Sequence, residues 1–155
     1  IEGHGFNIPV LRNDVIISKR QLLEARLFGA SAVQLDADFL SFEEYSELLD
    51  YAHNIGLEVV VAIRNADQLN YAQTAADIVA VVNYNLEDFT ADVQRSLQLV
   101  AQLPKDKVLL AEGGVRTAEE VRQLKSAGYH GVLLGNCLMS QADPAAALRQ
   151  LRSEL

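Results

Sequence analysis

The sequence predicts an α/β fold of six βα units with parallel strands, and three observations predict it. Six short apolar runs recur at intervals of roughly twenty to thirty residues, amphipathic helical patterns separate them, and two late runs end in glycine just before a new helix. The runs are Pro9-Leu11, Ala32-Leu35, Val59-Ile63, Ile78-Val82, Val108-Ala111 and Val132-Leu134. They are near-continuous instead of alternating, the pattern of strands buried on both faces of a parallel sheet. This spacing suits a doubly wound sheet or a βα barrel. A closed barrel needs eight units and typically ~250 residues. The sequence is therefore either an open six-stranded sheet or an incomplete barrel whose first two units lie on a segment not included. Its first residue is Ile1 and its one methionine is Met139, so a longer parent chain is expected.

The helices carry legible boundaries. Ser41 with Glu44 and Thr117 with Glu120 have capping-box spacing, and Ser18 with Gln21 and Asn65 with Gln68 are weaker versions. Asp143 precedes Pro144, a cap ahead of a proline at the first helical position. Tyr45, Leu48, Leu49, Ala52 and Ile55 share a helical face, as do Val93, Leu97 and Val100, then Leu148, Leu151 and Leu155. Gly29, Gly56 and Gly128 close helices, and Pro104 follows another. No linker or shift in composition divides the chain, so residues 1–155 are predicted to form a single domain.

Composition narrows the function. Half the residues (50%) are hydrophobic, enough for one core. The net charge of −8, spread over the helices, argues against a nucleic-acid or anionic-membrane surface. The lone Cys137 excludes an internal disulfide framework and a cysteine zinc cluster, and it suits a reducing, cytoplasmic compartment. No apolar run approaches the ~20 residues of a membrane span.

In parallel α/β folds, ligands meet the carboxyl ends of the strands. Two of these ends, Glu112-Gly113-Gly114 and Gly135-Asn136, are strand-to-glycine turns where backbone N–H groups can converge on an anion with no Cβ in the way. Gly113, Gly114, Gly135 and Asn136 are therefore the candidate phosphate-binding residues. Glu112 is the candidate catalytic carboxylate, a general base or a cation stabiliser. Asn13, Arg64 and Asn83, at other strand ends, are candidates for substrate contacts. Asp36 and Asp38 lie two apart and point to one face, and they read as solvated strand-end charges. His4, His53 and His130 have no ligand spacing, so no metal site is expected. Cys137 reads as a small packing residue.

An ordered set of motifs resembles indole-3-glycerol phosphate synthase. It comprises Pro9 through Ile17, Glu24-Ala25-Arg26-Leu27, Gly29 through Val33, Ala52-His53, Gly56 through Val59, Glu112 through Val115, Gly135 through Met139, and Asp143 through Leu148. The resemblance runs from about Ile8 to the end. It implies a TIM-type βα barrel of tryptophan biosynthesis that closes an indole ring on a carboxyphenylamino-deoxyribulose phosphate, releasing carbon dioxide and water without metal or cofactor. It also implies that the chain begins at the family's third strand, so two strands bearing an essential lysine, a glutamate and a phosphate-side serine are absent.

Position by position, the resemblance places the family's general-acid lysine at Asn13, its fifth-strand glutamate at Ala62 and its sixth-strand asparagine at Val82. Its arginine two places later falls at Tyr84. Glu112 matches the seventh-strand glutamate, the following serine is Gly113, and Gly114 and Gly135 match the phosphate-side glycines. Loss of a single general acid costs about 10²–10⁴ in rate, and losses within a concerted unit are not additive. The expectation is thus a phosphate-binding barrel of this type that has lost the family's catalysis, a pseudoenzyme in a binding, regulatory or structural role. Its partner would be a phosphorylated small molecule. The alternatives are an active carbon–carbon lyase of the indole-3-glycerol phosphate synthase type, or another phosphosugar barrel enzyme using Glu112. Six parallel strands leave two unpaired edges, which self-association or a longer parent chain is expected to cover.

Overall fold

A computed structural model describes residues 8–85, 88 and 90–155. The strands are β1 (Leu11–Arg12), β2 (Ala32–Asp36), β3 (Glu58–Ile63), β4 (Ile78–Val82), β5 (Val108–Glu112) and β6 (Gly131–Leu133). The helices are α1 (Lys19–Leu27), α2 (Phe42–Asn54), α3 (Leu69–Ala72), α4 (Gln94–Leu99), α5 (Ala118–Ala127), α6 (Asn136–Met139) and α7 (Pro144–Ser153). The strands belong to one six-stranded sheet in chain order. A doubly wound sheet reverses its strand order at a switch point. No reversal occurs here, so the fold is the TIM-barrel type, with six βα units.

The chain divides into two compact units. One comprises the described residues through Ile63 together with Asp67–Val79, and the other comprises Arg64–Ala66 with Ala80–Leu155. In the first unit, β1 and β3 flank β2 in parallel, with Leu11 opposite Ala32 and Val33 opposite Val59. Val59 through Ile63 are all buried, as their continuous apolar run requires. The α2 helix starts at a complete Ser41–Glu44 capping box and buries Tyr45, Leu48, Leu49 and Ala52. The Tyr45 hydroxyl pairs with Thr74 Oγ1 at 2.8 Å, and the Tyr45 ring meets Tyr71 edge-on at 5.1 Å.

Two local details in this unit, at Ser18 and at Asp36 with Asp38, differ from the sequence expectation. The Ser18 side chain does not cap α1; Gln21 Oε1 accepts from both Ser18 Oγ and the Ile17 N–H, each at 2.9 Å. The Gln68 amide donates to Asp38 Oδ1 at 2.5 Å, and a 3₁₀ turn, Ala66–Gln68, leads into α3. Asp36 and Asp38 are turn-building acceptors and not merely solvated charges, since Asp36 Oδ1 accepts from the Asp38 N–H at 2.9 Å.

In the second unit, β5 and β6 pair in parallel, with Leu110 opposite Gly131 and Glu112 opposite Leu133. These strands depart from two-sided burial. Leu109 and Ala111 are buried, whereas Leu110, Glu112 and all of β6 are half-buried. The Thr117–Glu120 capping box and the Asp143 cap ahead of Pro144 form as read. The apolar faces of α4 and α7 are covered only in part. Around α4, Val93, Ser96 and Leu99 are buried and Leu97 and Val100 half-buried, and a 3₁₀ turn, Val100–Gln102, follows the helix. No residue of α7 is buried, and Leu148 is 39% exposed.

Candidate functional site

The carboxyl ends of β4, β5 and β6 lie in the second unit and build the site. Gly113 and Gly114 follow β5 with φ of 74° and 76°, left-handed conformations that disfavour any residue with a Cβ. Asn83, at the end of β4, holds this turn. Its N–H donates to Glu112 O at 2.9 Å and its Nδ2 to Gly113 O at 2.8 Å. Its Oδ1 accepts from the Ser96 N–H and from Ser96 Oγ at 3.2 and 2.8 Å. Ser96 O in turn accepts from the Tyr129 hydroxyl at 2.9 Å. Asn83, Ser96 and Tyr129 are all buried. Burial pushes the Tyr129 phenol up to about 12, against the hydrogen bond to Ser96, which lowers it. The turn is therefore anchored by a satisfied polar chain running to α4 and the α5–β6 connection.

The loop after β4 folds back on the same turn. Tyr84 bridges Ala91 in antiparallel fashion, and the Asn85 N–H donates to Thr90 O at 2.8 Å. The Tyr84 ring rests directly on Gly113: a Cβ there would sit 2.1 Å from Tyr84 Cε2. Gly114 is also tightly enclosed, its would-be Cβ lying 3.3 Å from Ala91 Cβ and 3.4 Å from Asn83 Cβ. Arg95 braces the strand end by donating from Nη1 to Val82 O and Tyr84 O at 3.2 and 3.0 Å.

A cavity of about 600 Å³ opens beside the turn, lined among others by Tyr84, Thr90, Gly114, Arg116, Asn136 and Ser140. It brings together two of the four residues named for phosphate, Gly114 and Asn136. Gly113 faces another fate: its N–H donates to Leu133 O at 3.1 Å within the sheet. The Gly114 N–H makes no hydrogen bond with any described residue. Gly135 starts α6 with φ of −130°, and a Cβ there would meet nothing within 4 Å. Glu112 ends β5 half-buried on the Leu110 face and is not among the residues lining the cavity.

The remaining candidates are dispersed. Arg64 lines a different cavity of about 530 Å³ with Asn65, Asp92 and Arg95. Asn13 follows β1 in the first unit and is exposed. Ala62 and Val82, where the resemblance places a glutamate and an asparagine, are 0% and 3% exposed. Sequence reasoning missed Arg116, Thr90, Ser96 and Tyr129. Arg116 alone had a local signal, a cation two residues beyond the glycine turn.

A chain-ordered parallel sheet with its candidate residues at strand carboxyl ends defines a TIM-barrel-type βα protein. The indole-3-glycerol phosphate synthase family model matches residues 4–151, and the chain belongs to that family. An indole-3-glycerol phosphate synthase of Bacteroides thetaiotaomicron is 39% identical over 143 residues, which cover 92% of this chain and 55% of the relative. One from Campylobacter jejuni is 39% identical over 145 residues, covering 93% and 56%. The chain thus spans little more than half the length of these relatives. Among solved structures, 3-hexulose-6-phosphate synthase from Salmonella typhimurium superposes with a TM-score of 0.75 at 19% identity, covering 95% of this chain and 72% of that one. A mutant tryptophan synthase alpha-subunit from Pyrococcus furiosus gives 0.71 at 17% identity, covering 97% and 66%. These two likenesses concern the fold.

Proposed function

We propose that the chain is a phosphate-binding member of its family that has lost the family's ring-closing chemistry. The observation that carries this reading is the Tyr84 ring seated on Gly113. The resemblance places an arginine and a serine at these two positions, and here an aromatic ring fills the space that a serine side chain would need. Buried Ala62 and Val82 and the amide of Asn13 support it, because none of the three can hold or deliver a proton at neutral pH.

In this reading the anion site is built on Gly114, Gly135 and Asn136, with Gly113 forming the turn and Asn83 acting as a positioning residue. The ligand is a phosphorylated small molecule, and residues 1–155 work as one partial barrel domain in the cytoplasm. Strands β1 and β6 stand at the two ends of the sheet order. Their free edges would be covered by self-association or by further units of a longer chain. Among the described residues, no helix is long and apolar enough to cross a membrane.

Two measurements test the reading. Millimolar phosphate should raise the melting temperature, and Gly114→Asp should abolish that rise by crowding Ala91 and adding a like charge. Indole formation from the carboxyphenylamino-deoxyribulose phosphate should stay at background. Turnover that disappears in Glu112→Gln would establish instead the alternative, an active lyase or another phosphosugar enzyme using Glu112. The position of Glu112 at a strand carboxyl end favours that second reading.

A further inference from the structure

We propose that Arg116 is the anion-binding side chain of the cavity beside Gly114, and that it restricts the ligand to a single anionic group, a phosphate monoester on an otherwise neutral polyol. The inference rests on the phosphate-binding reading above and adds to it a residue and a substrate class.

Arg116 follows the Gly114 turn by two residues and lines the cavity with it. Its backbone N–H donates to Glu120 Oε2 at 2.7 Å, which fixes the main chain. That same carboxylate oxygen also accepts from the Thr117 N–H and from Thr117 Oγ1, at 2.9 and 3.2 Å. Glu120 is therefore engaged in capping α5, and the Arg116 guanidinium makes no hydrogen bond or ion pair with any described residue. An exposed guanidinium offers a planar fork of donors matched to phosphate oxygens. The Gly114 N–H, also without a partner among the described residues, adds a backbone donor on the same cavity.

The lining argues for one anion and no more. Among the described residues it contains no carboxylate, and Arg116 is its one cation. The rest of the polar wall consists of neutral groups, Tyr84, Thr90, Asn136, Ser140 and Gln141, suited to hydroxyls. A carboxylate added to the phosphate ester as a second anion would lose its hydration with no second cation to meet it. A volume of about 600 Å³ is ample for a small phosphorylated polyol.

Calorimetric titration of the full chain with glycerol 3-phosphate and with 3-phosphoglycerate tests this, using wild type, Arg116→Ala, Arg116→Lys and Arg122→Ala. Arg122 is ion-paired with Glu119 at 2.9 Å and does not line the cavity, so its removal controls for net charge. Wild type should bind glycerol 3-phosphate and take 3-phosphoglycerate about tenfold more weakly or worse. Arg116→Ala should weaken glycerol 3-phosphate by about tenfold to a hundredfold, the range for losing a charged hydrogen bond. Arg116→Lys should lose less, and Arg122→Ala nothing. Equal binding by wild type and Arg116→Ala, or an equal loss in Arg122→Ala, overturns the role of Arg116 and leaves the glycine site standing. Equal affinity for both ligands overturns the single-anion restriction. No binding of either ligand by wild type overturns the phosphate-binding reading as well.

Discussion

The Tyr84 ring covers Gly113 so closely that a Cβ on the glycine would lie 2.1 Å from Cε2 and 2.5 Å from Cδ2. The two positions are sterically coupled, and a change at either is felt at the other. Gly113→Ala should be destabilising through two separable costs. The left-handed φ of 74° costs about 1–2 kcal/mol for a residue with a Cβ. Displacing the ring adds about 1–3 kcal/mol of overpacking. In a Tyr84→Ala background only the first cost should remain. A double-mutant cycle on denaturant midpoints should show a coupling of at least ~0.5 kcal/mol; strict additivity would refute the contact.

Asn83 should be among the most sensitive polar residues of the second unit. Asn83→Ala removes the donor to Gly113 O and the acceptor for two Ser96 groups, all buried. The expected loss is about 2–3 kcal/mol, the scale of stranding buried polar groups. It should appear as a lowered denaturation midpoint together with loss of any phosphate-linked stabilisation.

The Tyr129 phenol gives the second unit an alkaline limit. Its folded value, pushed up to about 12, lies above the ordinary value of 10.0. Between those values the unfolded chain holds fewer protons than the folded one, so this contribution is complete below pH ~10 and is lost as pH rises toward ~12. Tyr129→Phe should lower stability at neutral pH by about 1 kcal/mol through the lost hydrogen bond, and should flatten the alkaline fall. An unchanged alkaline slope would remove the assignment.

Asp77 sets the matching acid limit in the first unit. Burial alone would raise its carboxyl, but the Val59 N–H at 2.8 Å and His53 Nε2 at 2.9 Å outweigh this and hold it below 3.8. Its contribution is therefore present above the unfolded value near 3.8 and is lost as pH falls through the lower folded value. Asp77→Asn should flatten the acid limb of a melting-temperature profile recorded between about pH 5 and pH 2.

Gly135 separates packing from ligand approach. A Cβ there meets nothing within 4 Å. Gly135→Ala should leave the unfolding free energy within about 0.5 kcal/mol of wild type. If the glycine serves ligand approach, phosphate affinity should nonetheless fall; unchanged affinity would take Gly135 out of the site.

Much of this protein was legible in the residues alone. Val59 through Ile63, a continuous apolar run, is buried throughout, and the boxes at Ser41–Glu44 and Thr117–Glu120 form as their spacing requires. These features are local, set by side-chain periodicity and by hydrogen bonds reaching three residues along the chain. Glu112-Gly113-Gly114 was visible as a strand end running into a special turn for the same reason. The division of labour within that turn was decided only by tertiary structure. Gly113 gives its N–H to Leu133, Asn83 holds the turn from the end of β4 with Ser96 of α4 behind it, and Tyr84 closes over it, leaving Gly114 and Arg116 on the cavity. Those partners lie roughly 13 to 30 residues apart in sequence, and neither periodicity nor capping rules reach so far. Which donor is consumed by the fold and which is left for a ligand depends on what the folded chain brings opposite it.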